Sequence, residues 1–269
     1  SAGLKGKWSL PTTWVGGVVP TAVDNVLISN GDSVNYDLLN GGVNNLNIGD
    51  NANTGTALKI RNDYDFSLTV YGNLTLSGDS VMFNGNTSTI QRNHALILKG
   101  DFTSTGTFDF KTGGSPNNTF INLVLDGNKT SNITVMPVRL IPDVVNELAD
   151  VTINKSGGAR VILHSDISLS NSSYCVLSLV NGIVETGPYT VKAVSSDNSA
   201  ISGGSQSSYV YGRLARGWPS TNGVTAKLYP VGDANTYRPV YISDPASAYN
   251  FLTVELIDGN ANTGSSILE

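Results

Sequence analysis

The sequence predicts an all-β fold, a right-handed parallel β-helix, from a repeated phrase, from the alternation within it and from the composition. The phrase has the form apolar-x-apolar-x-glycine. It occurs three times, ending at Gly72, Gly100 and Gly127, with separations of 28 and 27 residues. A period of this length is typical of proteins that stack one structural unit on the next. The chain is therefore predicted to be a solenoid of stacked coils.

The apolar residues of the three phrases alternate with their neighbours, which is the period of a strand with one buried face. If successive copies lie about 4.8 Å apart in parallel register, these residues form two interior columns. The first column contains Leu68, Leu96 and Leu123, and the second contains Val70, Leu98 and Leu125. The glycine that follows each phrase permits a corner that a Cβ atom would hinder.

The composition fits strands joined by many turns. Hydrophobic residues make up 39% of the chain and charged residues 14%, and there are 29 glycines. Sustained 3.6-residue periodicity is missing, so we expect very little helix. The net charge of −5 and the pI near 5.0 argue against nucleic acid and other polyanions as partners. The sequence has no apolar run long enough for a membrane-spanning helix.

Two domains are predicted: a β-helix over residues 1–204 and an antiparallel β-region or cap over residues 205–269. Residues 1–30 are expected to form an N-terminal cap, because Trp8 and Trp14 can cover the exposed end of the first coil. Stacking of these rings on a sugar is the alternative. Prolines between residues 128 and 150 predict an interruption of the period there. Turn-rich spacing after residue 208 favours antiparallel strands.

The opening of the chain contains Trp8, the run Trp14-Val15-Gly16-Gly17, Pro20, the run Asp24-Asn25-Val26-Leu27-Ile28 and the run Gly31-Asp32-Ser33-Val34. With these residues it resembles the first segment of large secreted surface proteins and adhesins of Bacteroidetes-type bacteria, and it is similar to the β-rich G8 domain. The resemblance extends to coil-like phrases at 151–158 and 179–187 and to the exit phrases at 212–216 and 229–240. It implies an extracellular piece of a longer protein, exported by a type IX-like route. Independently of this resemblance, the sequence lacks an initiator methionine and a signal peptide and ends in Leu268-Glu269, so we expect both ends to be processed or artificial.

Catalytic motifs are weak in this sequence. The blocks Gly31-Asp32-Ser33 and Gly78-Asp79-Ser80 imitate a hydrolase motif, but neither His94 nor His164 has the acidic context that activates a serine. Turns entering strands are the preferred interpretation of both blocks. The single cysteine, Cys175, lies in an apolar run and is predicted to be a buried thiol. We expect neither a metal site nor a cofactor.

A carbohydrate-active lyase or hydrolase is the enzymatic alternative, because many β-helix proteins have such activity. Glycoside hydrolysis needs two close carboxylates, and the nearest acidic grouping is Asp63-Tyr64-Asp65. A groove could still gather acids from adjacent coils. Three or more acidic and basic side chains meeting in one concave site would favour the enzyme.

The candidate ligand-binding residues are Tyr209, Tyr211, Arg213 and Trp218. Alternation predicts that the first three share one face of a strand, where rings can stack on sugars and a guanidinium can bind hydroxyls. The alternative is that the rings cover the junction between the β-helix and the C-terminal region.

These observations lead to a functional expectation: a non-enzymatic module of a large bacterial surface protein, acting as an adhesin or rigid stalk. It would be secreted or held at the cell surface. Its expected partners are a surface glycan or another cell-surface molecule, together with the other domains of a longer parent chain. No nucleic-acid partner and no membrane span are expected.

Overall fold

The computed structural model describes residues 5–29, 31–49, 56–61, 63–77, 81–84, 91–112, 119–136, 146, 148–218, 226–243 and 251–257. The fold is all-β: 55% of the described residues lie in strands and 3% in helices, and the parallel sheets stack into a β-solenoid of about six turns. The prediction of a parallel β-helix is confirmed at this level, and its right-handedness stays a prediction.

The described strands follow one another as short segments. The N-terminal part contains β1 (Gly6–Lys7), β2 (Val26–Ile28), β3 (Ser33–Tyr36), β4 (Asn40–Val43), β5 (Leu46–Ile48), β6 (Ala57–Ile60), β7 (Ser67–Val70), β8 (Leu74–Leu76) and β9 (Val81–Asn84). The middle contains β10 (Arg92–Leu98), β11 (Phe102–Ser104), β12 (Thr107–Asp109), β13 (Lys111–Thr112), β14 (Thr119–Gly127), β15 (Ser131–Val135), β16 (Val151–Lys155), β17 (Arg160–Leu163) and β18 (Ile167–Leu169). The C-terminal part contains β19 (Leu177–Asn181), β20 (Ile183–Ala193), β21 (Ile201–Gly203), β22 (Val210–Gly217), β23 (Lys227–Tyr229), β24 (Val231–Gly232), β25 (Val240–Ile242) and β26 (Phe251–Val254). Two 3-10 helices span Pro11–Thr13 and Asn198–Ala200.

Three parallel sheets run along the solenoid. The first has the order β1-β3-β6-β9-β12, the second β2-β5-β8-β11-β15-β17-β20-β22-β24, and the third β4-β7-β10-β14-β16-β19-β21. Each coil contributes one strand to the second sheet and one to the third. The chain therefore returns to the same face once per coil, as the period of the repeated phrase predicts.

The third sheet contains both predicted columns. Leu96 pairs with Leu68 on one side and with Leu123 on the other, and Leu98 pairs in the same way with Val70 and Leu125. All six side chains are buried. The columns continue into Val151, Leu177 and Ile201 and into Ile153 and Leu179. The stacking of apolar residues along a common axis is thereby confirmed.

A ladder of side-chain amides and one carboxylate follows the corner between the third and the second sheet. The N–H of Asn73 donates to Asn45 Oδ1 (2.7 Å), that of Asp101 to Asn73 Oδ1 (3.0 Å), and that of Asn132 to Asp101 Oδ1 (2.7 Å). We call Asn45, Asn73, Asp101 and Asn132 the corner ladder. The side-chain oxygens of Asn45, Asn73 and Asp101 each accept a backbone hydrogen bond from the next coil, so the ladder connects successive coils at this corner.

The corner ladder explains two of the repeated glycines. A Cβ atom added at Gly72 would lie 2.3 Å from Asn45 Oδ1, and one added at Gly100 would lie 2.4 Å from Asn73 Oδ1. Both contacts are far inside van der Waals distance, so any larger residue would displace the ladder. Glycine is required here because the amide of the preceding coil fills the space.

The first sheet is continued by different strands in the second half of the molecule. Its last strand, β12, is joined to the next segment by the side chain of Asn146, whose Oδ1 accepts from Phe108 N–H (3.0 Å) and whose Nδ2 donates to Gly106 O (3.3 Å). Thereafter Leu148 bridges to Leu169 in β18, and β18 pairs with the second half of β20. The amide of Asn146 thus replaces a peptide group at the point where the pairing changes.

The interruption expected between residues 128 and 150 is partly wrong. β15 lies inside this range and pairs in parallel with both β11 and β17. Its side chains alternate between buried and partly exposed positions, which keeps it in the interior repeat. The prolines on which the expectation rested, Pro137 and Pro142, lie outside the described residues.

The C-terminal region contains both kinds of pairing. β23 pairs antiparallel with β25, and β26 pairs antiparallel with the second half of β22, as the turn spacing predicts. However, β22 itself runs parallel to β20, and β24 runs parallel to β22. The second sheet therefore continues beyond residue 204. The domain boundary at this residue stays a prediction.

Candidate functional site

Two of the four predicted ligand-binding residues are buried. Tyr209 is covered by the 232–237 segment: its hydroxyl donates to Asp233 O (2.8 Å), and its ring lies 5.9 Å from the ring of Tyr237. The indole N–H of Trp218 donates to the hydroxyl of Tyr229 (2.8 Å). These contacts match the alternative in which the rings cover the junction with the C-terminal region.

The other two predicted residues lie on the outside of β22. Tyr211 is half-buried and Arg213 is exposed. Arg213 donates from Nη1 to Pro188 O (2.7 Å) and pairs through Nε with Glu255 Oε2 (3.0 Å). The structure therefore brings Tyr211 and Arg213 to the surface and separates them from Tyr209 and Trp218.

Tyr211 lines a depression of about 250 Å³ together with two acids, Glu185 and Glu255. Glu185 pairs with Arg160 (3.3 Å), and Glu255 pairs with Arg213. Each carboxylate is thus already engaged by an arginine, which occupies acceptor sites that a ligand would otherwise use.

A larger concavity, of about 450 Å³, lies beside β18, β20 and β26. We call it the lateral groove. The strand register places four of its residues in one row across neighbouring strands. Ser168 of β18 pairs with Lys192 of β20, Lys192 pairs with Ala215 of β22, and Ala215 pairs with Thr253 of β26. The groove is lined by Val135, Met136, Asn146, Asp166, Ile167, Ser168, Thr190, Lys192, Ala215, Phe251 and Thr253.

The two charged residues of the lateral groove, Asp166 and Lys192, do not form ion pairs with described residues, whereas the acids of the depression do. Asp166 accepts the backbone N–H of Thr190 through Oδ1 (2.8 Å). Lys192 lies with Nζ 3.7 Å from the centroid of the Phe251 ring, a cation–π contact. No ion pair within the described part of the chain involves either residue. The groove thus combines one acid, one base and one aromatic ring, and sequence analysis did not predict it.

His94 is placed by the structure inside the solenoid. Its Nδ1 accepts the backbone N–H of Phe66 (3.1 Å), and its ring stacks on that of Phe66. Burial is the main cause that lowers the pKa of His94 to about 4. The ring is therefore neutral at physiological pH and serves the core.

His164 and the first Gly-Asp-Ser block lie apart from each other. His164 is exposed, with Nε2 3.0 Å from Asn132 Oδ1. Asp32 of the block is buried at a turn, where its N–H donates to Ser29 O and its carbonyl accepts from Ala57 N–H. This geometry supports the turn interpretation. The second block lies outside the described residues.

A buried lysine and serine form a pair that the sequence did not reveal. Lys155 Nζ donates to Ser131 Oγ (2.7 Å) and to Asp126 O (2.7 Å), and Ser131 Oγ donates to Gly100 O (2.5 Å). Burial lowers the pKa of Lys155 to about 8. A lysine beside a serine can activate it as a nucleophile. Here both side chains are enclosed, so the pair connects neighbouring coils.

Two further cations fill the interior near the C-terminal strands. Arg216 donates to Leu228 O (2.5 Å), Asp197 O (3.1 Å) and Asn198 O (3.0 Å). Lys227 donates to Ser196 O and to Gly217 O (3.1 Å). Burial lowers the pKa of Lys227 to about 8, and the nearby Arg216 acts in the same direction.

Cys175 is buried, as predicted. In the segments that the structure describes, no cluster of three or more His, Cys, Asp or Glu side chains is arranged to hold a metal ion. The same segments contain no helix long and apolar enough to cross a membrane.

These features define the molecule as a parallel β-solenoid with a polar corner ladder and a lateral groove. Comparison of the chain with protein-family models, with curated proteins and with solved structures found no match in any of the three.

Proposed function

We propose that this chain is a non-enzymatic, rigid module of a large bacterial surface protein, acting outside the cell as a stalk or adhesin that contacts glycans. The observation that carries the proposal is the continuous parallel pairing of the third sheet. Each strand pairs with the next from Asn40–Val43 to Ile201–Gly203, with one shift of register after Ile153. A rod in which each coil is bonded to the next resists bending and separates whatever is attached to its two ends.

The pattern of surface charge supports this proposal. Among the described residues, six acids form ion pairs with basic side chains, as in Lys99–Asp126, Arg160–Glu185 and Arg213–Glu255. Such pairs contribute little to stability at a surface. Their effect is to neutralise the carboxylates that glycoside hydrolysis would need.

The carbohydrate-active enzyme is the second candidate, and the lateral groove is the observation that favours it. Asp166 and Lys192 line one concave site, and an acid with a base is the minimum for proton transfer to and from a sugar. The groove contains two charged residues among those described, whereas convergence of three or more would favour an enzyme. The spacer and adhesin role is therefore the better supported of the two.

A cleavage assay separates the two candidates. The purified chain is incubated with neutral and acidic polysaccharides, and reducing ends and the ultraviolet absorbance of unsaturated uronates are followed. We expect no turnover above that of the double variant Asp166→Asn with Lys192→Met. Turnover that disappears in this variant, but persists in the surface variant Lys59→Met, would replace the module by an enzyme.

A mechanical measurement tests the stalk itself. Because Cys175 is buried, cysteines introduced at Lys5 and Tyr241 can serve as attachment points for optical tweezers. We expect a constant extension at low force, followed by unfolding in steps that correspond to whole coils. Gradual lengthening at low force would contradict a rigid spacer.

A further inference from the structure

We propose that the lateral groove is a binding site for a neutral, hydroxyl-rich saccharide. The inference rests on the proposed surface-contact function and assigns that contact to particular residues. It replaces the predicted set around Tyr209 and Trp218, because both of these side chains are buried by contacts within the protein. Three properties of the groove favour such a ligand: its size, its polar groups and its charge.

The size of the lateral groove suits a small ligand. Its volume of about 450 Å³ lies within the range of roughly 300–1,000 Å³ that is usual for small-molecule sites. The depression near Tyr211, at about 250 Å³, lies just below this range. The groove is also mixed in character, since Ile167, Ala215 and Phe251 supply apolar surface beside the polar side chains. Sugar rings have the same mixture of apolar C–H faces and hydroxyl edges.

The polar groups of the groove retain hydrogen-bonding capacity. Asp166 uses Oδ1 for the backbone of Thr190, and no protein donor to its Oδ2 occurs among the described residues. The hydroxyls of Ser168, Thr190 and Thr253 likewise make no hydrogen bond to other described residues. Asn146 differs, because both ends of its amide bind the backbone of the first sheet. Asn146 therefore contributes only to the wall of the groove. The side chains of Asp166, Ser168, Thr190 and Thr253 are available to bind ligand hydroxyls.

The charge of the groove selects the class of ligand. Asp166 accepts hydrogen bonds from hydroxyls, and the Lys192 ammonium donates to hydroxyl or ring oxygens. The two charges cancel, so neither a polyanionic uronate nor a polycationic amino sugar is favoured overall. A neutral saccharide satisfies both groups without placing a like charge beside either of them.

The position of Lys192 gives the groove a fixed polar contact. Its ammonium nitrogen lies over the Phe251 ring, 3.7 Å from the ring centroid. A cation over an aromatic ring is restrained without losing its donors. The ammonium is thereby presented to the groove at little additional ordering cost on binding.

Binding of defined oligosaccharides to the full chain tests the proposal. The probes are hexasaccharides of glucose, mannose and xylose, with oligogalacturonate and oligoglucosamine as the charged comparisons, and the measurement is isothermal titration calorimetry. We expect at least one neutral probe to bind and both charged probes to bind at least tenfold more weakly. Preference for a charged probe would overturn the inference.

Four variants locate the site. Asp166→Asn keeps the acceptor for Thr190 N–H, and Lys192→Met keeps an unbranched side chain of similar length, so both should fold normally. Each is expected to weaken binding tenfold or more. Tyr211→Ala and Arg213→Met, in the neighbouring depression, should change affinity less than twofold. Loss of binding in the Tyr211 or Arg213 variants alone would place the site in the depression and overturn the groove assignment.

Two failures remain distinguishable. If no neutral probe binds at millimolar concentration, the groove inference is overturned, while the stalk is judged separately by its extension under force. If a neutral probe binds and is also cleaved, the groove is a site but the non-enzymatic function is wrong.

Discussion

The two ends of the solenoid interior are filled by side chains of opposite character. At the N-terminal end, the ring of Trp8 packs edge-on against Trp14 (4.9 Å between centroids) and Tyr36 (5.2 Å). Near the C-terminal strands, the interior row that begins with Leu169 and Ala193 continues into Arg216. One end is thus closed by apolar volume and the other by charged hydrogen-bond donors.

The difference reflects what each end must satisfy. The N-terminal rings satisfy their own polar atoms with nearby backbone, because Trp14 Nε1 donates to Trp8 O (2.8 Å) and the Tyr36 hydroxyl donates to Ser67 O (2.6 Å). At the other end, backbone carbonyl oxygens of Asp197, Asn198 and Leu228 point into the interior, where Arg216 donates to them. Lys227 binds further carbonyl oxygens nearby, and such groups would be costly to leave unpaired. The buried cations thus lie at the end where backbone carbonyl groups need a side-chain donor.

The largest expected effect is that of Trp8→Ala. Removal of a fully buried tryptophan costs roughly 3–5 kcal/mol, so we expect a loss of about 4 kcal/mol in the free energy of unfolding. Urea denaturation measures it. The control Val23→Ala, at a position 82% exposed, should change stability by less than about 0.5 kcal/mol. A loss below about 1 kcal/mol for Trp8→Ala would show that the rings are not essential to this end.

Arg216→Met should cost slightly less, about 3 kcal/mol, because three carbonyl oxygens lose their donor and each unsatisfied group costs roughly 1–3 kcal/mol. Methionine has a similar length, which limits the cavity. The matched control is Arg238→Met, whose guanidinium pairs with Asp233 at the surface; it should cost less than about 1 kcal/mol. Equal stability of Arg216→Met and wild type would mean that burial of charge at this end is dispensable.

The N-terminal half should be the acid-sensitive part. The pKa of His94 is about 4 in the folded protein and about 6.5 in an unfolded chain. Between these values the unfolded state binds more protons, so stability is complete above pH 6.5 and falls as the pH drops towards 4. We expect a loss of about 2–3 kcal/mol between pH 7 and pH 4. His94→Asn retains an acceptor for Phe66 N–H, and a pH dependence that is unchanged in this variant would refute the assignment.

The C-terminal end should respond in the alkaline range, and there too stability should rise with pH. The pKa of Lys227 is about 8 when folded and about 10.4 when unfolded. The unfolded state again binds more protons between these values, so stability rises with pH above 8, at less than ~1.4 kcal/mol per pH unit. The test compares the unfolding free energies of wild type and Lys227→Met at pH 7.5 and 9.5, where the contribution of Lys155 cancels. Identical slopes would contradict the prediction.

The same contrast shows which parts of the molecule could be predicted from sequence. The third-sheet columns were predictable because Leu68, Leu96 and Leu123 alternate with their neighbours and recur at a fixed period. The burial of Arg216 was not, because lysine and arginine are rarely enclosed and the carbonyls that require a donor exist only in the folded turns.

The lateral groove could not be predicted for a different reason. Asp166, Lys192 and Phe251 are distant in sequence and meet only because β26 folds back, antiparallel, onto β22. By contrast, Tyr209 and Tyr211 were predicted to bind a ligand because they are close in sequence. Proximity along the chain indicated a shared face, whereas the cover over Tyr209 comes from the 232–237 segment.

The smallest expected effect concerns the corner ladder, which lies between the two ends of the solenoid. Asn73→Ala removes the acceptor of Asp101 N–H, and we expect a loss of about 1 kcal/mol, the usual net worth of one hydrogen bond. Asn47→Ala, on an exposed position of the neighbouring strand, should cost less than about 0.5 kcal/mol.

Residue 101 of the ladder is already an aspartate, which indicates that the corner needs an acceptor oxygen and not an amide donor. Asp101→Asn should therefore stay within about 0.5 kcal/mol of wild type, and a loss as large as that of Asn73→Ala would show that the charge of Asp101 contributes beyond its acceptor.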